Sequence, residues 1–406
     1  MHVSKISLEN FRSYRELDLA LSPGSTLLYG DNAQGKTNLL EALFFIATTR
    51  SPHADRGRQL INWEQLESEE LIVVGRINAV LQTDMESTTL EIRLIREIQG
   101  GTARFRKEAL VNGRKVRLMD LIGRLRVVLF LPQDMEVITA SPSIRRRYLD
   151  ITLCQSDPGY CRQLSQYNKV LEQRNALLRQ IGEEGTGRDV LPVFTGNLVD
   201  LGSSIFLRRA QTLREWNALA HNLHHEQLTG GSESLSLSYF PRFVQSSNHK
   251  NHFLSEIGRW LSQQPDVNDV AQRFQDALEE LQSAEISSGM TLIGPHRDDW
   301  RFEIDGKDLG IYGSRGQQRT ALLALKLSEI QWMTKQTGET PLLLLDEVMA
   351  ELDKQRRDLL LSTVSAAAQS ILTATDPGMF SESFLSQAEL LRVAGGQIFR
   401  DRLAEP

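Results

Sequence analysis

Residues 25–40 read STLLYGDNAQGKTNLL, and this stretch decides the fold. The apolar run that ends at Gly30 has the composition of a buried β-strand, and the apolar residues after Lys36 recur at helical spacing. Between them lies the complete pattern Gly-x4-Gly-Lys-Thr, in the strand–loop–helix context that a phosphate-binding loop requires. Glycines let backbone N–H groups surround a phosphate at a helix N-terminus, where the helix dipole already favours anions. The sequence therefore predicts a nucleotide-binding P-loop.

Each residue of the loop is a candidate contact to ATP. The predicted nucleotide ligands in this stretch are Gly30, Asp31, Asn32, Ala33, Gln34, Gly35, Lys36 and Thr37. We expect the Lys36 ammonium to reach the β- and γ-phosphates and to act in catalysis, and the Thr37 hydroxyl to bind Mg²⁺. ATP and Mg²⁺ are therefore the expected cofactors.

A second stretch supplies carboxylates. Residues 342–345 are four leucines, followed directly by Asp346 and Glu347. Four leucines in a row predict a strand that is buried on both faces, with the two carboxylates delivered at its C-terminal end. We expect Asp346 to hold Mg²⁺ and Glu347 to orient and polarise the water that attacks the γ-phosphate.

The remaining sequence alternates between strand and helix patterns. Residues 71–131 alternate apolar with polar, and Asn112-Gly113 marks a hairpin within an antiparallel β-subdomain. Apolar residues recur at helical steps from 144 to 223 and from 266 to 285. Other predicted elements are strands at the N-terminus, at 127–131, at 290–294 and at 370–375, a hairpin centred on Asp305-Gly306, a helix over 315–336, and a loop over 226–250 containing a short strand, LSLSYF.

Charge is uneven along the chain. The 406 residues carry a net charge of −6, yet residues 101–150 contain eleven Lys and Arg against five Asp and Glu. Any nucleic-acid contact must therefore be local. The candidate contacts are the basic side chains of a predicted hairpin, Arg104, Arg106, Lys107, Arg114, Lys115 and Arg117, with Arg145–Arg147 as the next choice.

The sequence gives no sign of a membrane span. No run of about 18 apolar residues occurs, and the polar N-terminus, MHVSKISLENFRSYRE, lacks the apolar stretch of a secretory signal. We therefore expect a cytoplasmic protein without membrane association.

A third motif carries a family resemblance. The segment from Ser314 to Arg319 reads SRGQQR and opens a predicted helix before the acidic pair. It resembles the signature of ATP-binding-cassette proteins, in the variant used by the RecF family and its SMC-like relatives. The same resemblance includes four other blocks: ENFRSY at 9–14, PQD at 132–134, RRYLD at 146–150 and GPHRDD at 294–299. These blocks lie in order along the chain, and only the helical middle is poorly covered.

The resemblance implies a head-to-tail dimer with two ATP molecules between the subunits. Ser314, Gly316 and Gln317 would contact the γ-phosphate that the other subunit's P-loop binds. Gln133 would occupy the Q-loop position and contact Mg²⁺ or the attacking water. Asp353 matches the loop that crosses the dimer interface, and Arg12 would contact phosphate.

The resemblance also implies a function. It is ATP-dependent binding of duplex or gapped DNA, close to single-strand/duplex junctions, in recombinational repair. RecR and RecO would be partners and RecA recombinase loading the indirect outcome, with hydrolysis releasing the dimer from DNA. Two departures stand out: Arg315 replaces the first signature glycine, and Thr375-Asp376 stands where transporter ATPases carry a switch histidine. The missing imidazole predicts slow turnover.

The predicted fold is an α/β ABC-type P-loop ATPase head with an antiparallel β-subdomain and an inserted α-helical lobe. The head spans 1–150 and 286–406, the β-subdomain 71–126 and the helical lobe 151–285. One alternative is the nucleotide-binding subunit of an ABC transporter, which the absent histidine, the helical insertion and the Asn-Phe-Arg start disfavour. Another is a structural SMC-type ATPase, which needs hundreds of coiled-coil residues, whereas this insertion offers fewer than 150.

Overall fold

The computed structural model describes residues 1–54, 57–83, 86–100, 102–243 and 251–400. In these ranges the strands are β1 (His2–Phe11), β2 (Tyr14–Ala20), β3 (Gly24–Tyr29), β4 (Ile72–Gln82), β5 (Ser87–Gln99), β6 (Thr102–Val111), β7 (Arg114–Val116), β8 (Val127–Phe130), β9 (Leu235–Phe240), β10 (Asp299–Ile304), β11 (Lys307–Asp308), β12 (Leu342–Asp346), β13 (Gln369–Ala374), β14 (Glu389–Ala394) and β15 (Gln397–Arg400). The α-helices are α1 (Lys36–Thr48), α2 (Trp63–Leu66), α3 (Leu118–Leu121), α4 (Glu136–Thr139), α5 (Pro142–Ser156), α6 (Pro158–Glu184), α7 (Leu191–Asn222), α8 (Asn251–Ser262), α9 (Val267–Ser288), α10 (Leu309–Tyr312), α11 (Arg315–Thr337), α12 (Lys354–Ala366) and α13 (Glu382–Leu385).

The chain forms two compact units. The first comprises Met1–Gln133 with Glu329–Pro406, and the second comprises Asp134–Ser328. This division differs from the predicted lobe bounds of 151–285, because residues 134–150 and 286–328 lie in the second unit. Within that unit, α5 packs against β10, which joins those two segments.

A six-stranded sheet forms the core of the first unit. Its strand order is β15-β14-β3-β13-β12-β8. All pairings except that of β14 with β15 are parallel. Every residue of β8, β12 and β13 is buried, as expected for parallel strands covered on both faces. The predicted strands at 127–131 and 342–345 are therefore confirmed.

An antiparallel sheet in the same unit has the order β2-β1-β4-β5-β6-β7. Burial alternates along β4, which matches the period of two in the sequence. Asn112 and Gly113 both have positive φ, 49° and 75°, as the predicted two-residue hairpin turn requires. The sheet also contains β1 and β2, so it extends beyond the predicted β-subdomain of 71–126.

The second unit combines helices with a small sheet. The long helices α6, α7 and α9 pack on one another. The predicted strand LSLSYF is confirmed as β9, which pairs with β10 in the sheet β11-β10-β9. The predicted strand at 290–294 is wrong: these residues are irregular after the end of α9. The predicted loop over 226–250 lies partly outside the described residues, at 244–250.

None of the helices in the described part of the chain combines the length and the apolar character needed to span a bilayer.

Candidate functional site

The predicted nucleotide-binding residues of the first unit meet at one edge of the parallel sheet. Strand β13 lies between β3, which leads into the P-loop, and β12, which ends in Asp346. All three strands run in the same direction, so their carboxyl ends share an edge. Open α/β sheets bind ligands outside the carboxyl ends of their strands. The fold therefore brings the loop and the acidic strand together although they lie about 310 residues apart in sequence.

At two glycine positions of the loop, a side chain would lie too close to neighbouring atoms. Gly30 has φ +146°, and a Cβ there would lie 2.3 Å from the backbone oxygen of Val393. Gly35 has φ +110°, and a Cβ there would lie 3.1 Å from the hydroxyl of Tyr14. That buried hydroxyl donates a hydrogen bond to the Gly35 carbonyl at 3.0 Å. The tight turn and the close packing beneath the loop explain the glycine spacing.

The Lys36 ammonium is held at the mouth of the loop. Its side chain is buried, and Nζ donates to the carbonyl oxygens of Gly30 at 2.6 Å and Asp31 at 3.0 Å. The Glu347 carboxylate lies 3.2 Å from the same nitrogen. All three partners are oxygen acceptors, which is the kind of partner that a phosphate also supplies.

Thr37, Asp346 and Thr373 form a hydrogen-bonded group at the same edge. The Thr37 hydroxyl lies 3.0 and 2.9 Å from the two carboxylate oxygens of Asp346. The Thr373 hydroxyl donates to Asp346 Oδ1 at 2.7 Å and accepts the backbone N–H of Glu347 at 3.0 Å. Strand register sets this geometry, because Asp346 lies directly opposite Thr373. Thr373 thus orients both acidic residues.

The hydroxyl of Thr37 and the carboxylate of Asp346 suit Mg²⁺. They are hard oxygen donors within hydrogen-bond distance of each other, and Mg²⁺ prefers one or two carboxylates together with phosphate oxygens and water. Across the described residues, no group of three or more His, Cys, Asp or Glu side chains could hold a metal ion. A Mg²⁺ ion bound here would therefore depend on the nucleotide for part of its coordination.

Glu347 has an unusual backbone conformation. Its φ of 52° and ψ of 16° lie in the left-handed region, which non-glycine residues rarely adopt. The turn follows the buried strand β12 at once and directs the partly exposed side chain toward Lys36. Residues held in such conformations cluster at functional sites.

Three other predicted residues of the first unit have partners within the protein. Gln133 lies in the short 3-10 turn after β8, and its Nε2 lies 3.0 Å from Nδ1 of His53. The Arg12 guanidinium donates two hydrogen bonds, both 2.8 Å, to the carboxylate of Glu41. Asp353 caps α12 by accepting the backbone N–H of Arg356, and it also pairs with the guanidinium of that residue.

The signature segment opens α11 in the second unit. Ser314 Oγ accepts the backbone N–H of Gln317 at 3.2 Å, and Gln317 Oε1 accepts the backbone N–H of Ser314 at 2.9 Å. This reciprocal pair is a capping box. Ser314, Arg315 and Gly316 are exposed, and the Gln317 amide also donates to Glu233 at 2.9 Å. A hydroxyl and backbone amides at the start of a 23-residue helix form an arrangement suited to an anion.

Sequence reasoning missed Thr373, Glu41 and Glu233. Glu41 had a signal, since it is a lone acidic residue in the apolar run LLEALFF and is buried. Thr373 and Glu233 carry no such signal, because their partners are set by strand pairing and by loop packing.

The basic residues predicted to contact DNA differ in availability. Arg106 and Lys115 both pair with Glu108, and Arg117 pairs with Asp120. Lys107 is partly buried over the ring of Phe45, and burial lowers the pKa of its ammonium. The exposed basic side chains of the hairpin region include Arg104 and Arg114.

The second basic candidate, Arg145–Arg147, is largely internal. Arg145 is buried, and its guanidinium donates to the two carboxylate oxygens of Asp299 at 2.7 and 3.1 Å. Arg146 is half-buried and donates to the backbone oxygen of Asp298. An Arg145 contact to DNA is therefore wrong, because a buried ion pair occupies its side chain.

The GPHRDD block lies in a buried polar network. Asp298 accepts hydrogen bonds from the Arg209 guanidinium at 3.1 Å and from the Tyr239 hydroxyl, and burial raises the pKa of Asp298 to about 6. Nδ1 of His296 lies 2.8 Å from the Tyr167 hydroxyl, and burial lowers the pKa of His296 to about 4. Burial therefore favours a neutral imidazole, whose Nε2 lies 3.2 Å from the Thr291 carbonyl oxygen and whose Nδ1 can accept from Tyr167.

Comparisons with known proteins show the family of this chain. Residues 2–396 match the family described as the RecF/RecN/SMC N terminal domain. The chain is 42% identical over 407 residues to the DNA replication and repair protein RecF of Herpetosiphon aurantiacus, with 98% of this chain and 100% of that protein covered. It is 40% identical to the RecF protein of Chloroflexus aurantiacus, with the same coverage.

Solved structures give the same match. The structure of the recombination mediator protein RecF-ATP in the RecFOR pathway superposes with a TM-score of 0.82 at 29% identity, covering 98% of this chain and 97% of that one. An Smc head domain with an extended coiled coil, derived from Pyrococcus furiosus, gives a TM-score of 0.50 at 15% identity, covering 99% of this chain and 96% of that one, which indicates a shared fold.

Proposed function

Because this chain belongs to the RecF family, within the group of proteins that share the RecF/RecN/SMC N-terminal domain, we propose that it is an ATP-hydrolysing protein of DNA replication and repair. In this proposal ATP joins two copies into a dimer that binds duplex or gapped DNA, and hydrolysis releases it. The observation that supports this proposal most strongly is that Lys36, Thr37 and the Asp346-Glu347 pair meet at one edge of the parallel sheet.

Each residue of this edge has a proposed task. The P-loop amides and Lys36 bind the phosphates, while Thr37 and Asp346 hold Mg²⁺, which neutralises phosphate charge when bound. Glu347 lies 3.2 Å from Lys36, so its carboxylate stands at the place where the γ-phosphate would approach. Once a phosphate engages Lys36, Glu347 is available to accept a proton from the attacking water. Gln133 and Arg12 lie in the same unit and are proposed to contact water or Mg²⁺ and phosphate, respectively.

The second half of each site is proposed to come from the other copy. Ser314, Gly316 and Gln317 lie at the start of a long helix, and the exposure of Ser314 and Gly316 leaves the helix N-terminus open to an anion. We assign that anion as the γ-phosphate bound by the partner's P-loop, with Asp353 at the same dimer interface. Partner proteins are assigned by the family alone: RecR and RecO, and through them RecA.

Two variants of the first unit test the proposal. Lys36→Ala should abolish the ATP-induced dimer in sedimentation, because the loop loses its long cation. Glu347→Gln should bind ATP and dimerise on gapped DNA but hydrolyse at least about 100-fold more slowly, because an amide cannot act as a general base. Wild-type turnover in Glu347→Gln, or an ATP-induced dimer of Lys36→Ala, would contradict these roles.

A mixing experiment tests the composite site. Ser314→Arg places a bulky cation at the signature while leaving the P-loop intact, and Lys36→Ala does the reverse. A heterodimer of the two variants has one intact composite site, so mixing should restore part of the ATPase activity. Activity that stays at the average of the two variants, together with failure of a Ser314→Cys variant to crosslink to a P-loop cysteine of the other copy, would exclude the composite arrangement.

A third experiment measures the DNA preference of the parent chain. Binding to gapped and to blunt duplex DNA with and without ATP should show an ATP-dependent gain for the gapped substrate. Because phosphate contacts release counterions, affinity should fall as salt rises. Binding that is independent of ATP would contradict the proposed cycle.

A further inference from the structure

The side-chain amide of Gln317 has a fixed orientation. Its oxygen accepts the Ser314 N–H at 2.9 Å, and its nitrogen donates to Glu233 Oε1 at 2.9 Å. Because an amide oxygen only accepts and an amide nitrogen only donates, the two contacts lock the amide in one of its two flips. The carboxylate of Glu233 therefore determines which end of Gln317 faces Ser314.

The Ser314 hydroxyl makes a separate contact in the same cap. The Ser314 oxygen accepts the backbone N–H of Gln317 at 3.2 Å, so the hydroxyl hydrogen points away from that amide. A hydroxyl has one donor and two acceptor sites, so Ser314 can still donate to another group while it accepts from Gln317. Ser314 is exposed, so an incoming phosphate oxygen can accept this hydrogen.

Glu233 is itself held by an uncommon helical turn. Residues Leu223–Leu228 form a π-helical turn at the end of α7, a feature frequently found at functional sites. His225, on this turn, donates from Nδ1 to the backbone oxygen of Glu233 at 3.2 Å, since a carbonyl can only accept. His224 lies buried on the same turn, with Nε2 3.8 Å from Glu233 Oε2. The loop that carries Glu233 is thus anchored to the helical part of the second unit.

We propose that Glu233 is a positioning residue for the signature motif. By fixing the Gln317 amide, it holds the Ser314 hydroxyl and the first-turn amides of α11 in the geometry that engages the nucleotide of a second copy. This inference rests on the proposed function, in which the signature binds the partner's γ-phosphate. It assigns to the helical region a part in nucleotide-driven dimerisation that no motif of the sequence indicates.

A swap of donor and acceptor tests the contact without disturbing the cap. In Gln317→Glu the capping box is retained, because glutamate is the usual residue at this position, but two carboxylates now face each other. In Glu233→Gln the acceptor oxygen is retained. The double variant Gln317→Glu with Glu233→Gln restores one donor and one acceptor with their roles exchanged, whereas Glu233→Ala removes the contact altogether.

The readouts are ATP-dependent dimerisation by sedimentation and nucleotide binding by the isolated monomer. Glu233→Ala and Gln317→Glu should each weaken dimerisation by about tenfold or more, the effect of losing a hydrogen bond to a charged group. Glu233→Gln should dimerise within about threefold of the parent chain. The double variant should recover part of the dimerisation that Gln317→Glu loses, and all four variants should bind ATP as monomers. Thermal unfolding checks that each variant is folded.

Ser314→Arg, measured in parallel, distinguishes failure of the proposed composite site from failure of the positioning role of Glu233. If Ser314→Arg dimerises like the parent chain, the proposed composite site fails and the role of Glu233 fails with it. If Ser314→Arg blocks dimerisation while Glu233→Ala does not weaken it, the proposed function stands and the positioning role is overturned. A double variant as weak as Gln317→Glu alone would overturn that role as well.

Discussion

Replacing Thr373 by valine tests the hydrogen-bonded group behind the acidic pair. The substitution keeps the shape of the side chain and removes one hydroxyl, which donates to Asp346 at 2.7 Å and accepts the Glu347 N–H at 3.0 Å. Thr373 is buried, so water cannot easily replace either contact. In the chain without nucleotide, Asp346 would still be held by Thr37. If Thr37 turns to Mg²⁺, Thr373 becomes the remaining hydroxyl that fixes Asp346.

The expected loss of stability in Thr373→Val depends on the charge of the acceptor, the Asp346 carboxylate. A hydrogen bond to a charged group contributes about 1.5–3 kcal/mol, and a buried amide without its acceptor costs about 1–3 kcal/mol. The two losses add to about 2.5–6 kcal/mol, and because Thr37 still holds Asp346 we expect the apparent free energy of unfolding to fall by about 2.5–4 kcal/mol. If a comparable loss of about 1.4–2.8 kcal/mol applies in the transition state, kcat falls by about 10- to 100-fold. Binding of ATP by the monomer should change less, because Lys36 and the P-loop are intact.

Thr26→Val is the matched control. Thr26 lies in the neighbouring strand β3, is equally buried, and its hydroxyl has no hydrogen-bond partner among the described residues. The same chemical change there should leave kcat unchanged and should be neutral or stabilising. The assay is steady-state ATPase activity at saturating Mg²⁺ and ATP, with urea unfolding of each variant. Equal kcat values for Thr373→Val and Thr26→Val would refute the orienting role of Thr373.

Three further predictions concern pH, metal and backbone. Burial lowers the pKa of His296 from 6.5 to about 4, so its contribution to stability is present above pH 6.5 and is lost as pH falls toward 4, by up to about 1.4 kcal/mol per pH unit. Because the raised pKa of Asp298 acts in the opposite direction over the same pH range, the measurement is the difference in urea unfolding between the parent chain and His296→Asn, which should show this slope. Because Thr37 and Asp346 supply one hydroxyl and one carboxylate, Mg²⁺ alone should leave the Tm unchanged, whereas Mg²⁺ with ATP should raise the Tm and EDTA should reverse that rise. A large Tm shift with Mg²⁺ alone would instead indicate a complete metal site. Gly30→Ala should abolish ATP binding in a filter assay and destabilise the chain by about 2 kcal/mol or more, because the alanine Cβ would lie 2.3 Å from the Val393 carbonyl oxygen. Normal ATP binding by this variant would contradict the close packing beneath the loop.

Local sequence was sufficient to predict the strands and the helix that hold the site residues. The strand before Gly30, the helix after Lys36 and the buried strand before Asp346 were all predicted correctly, because each depends on composition and periodicity within about ten residues. The predicted strand at 290–294 was wrong because an apolar run of that length does not distinguish a strand from an irregular buried segment. The tasks assigned to individual site residues stay predictions.

The sequence by itself determined that a P-loop and an acidic strand exist, since glycine spacing and a leucine run have meaning without any partner. Only the tertiary structure decided what surrounds them. Thr373 contacts Asp346 because β13 pairs with β12 in one register, and Glu233 contacts Gln317 although 84 residues separate them. Arg145 is internal because Asp299, 154 residues away, neutralises it. Buried polar groups must find partners, and the partners are chosen by chain packing over distances that no local pattern encodes.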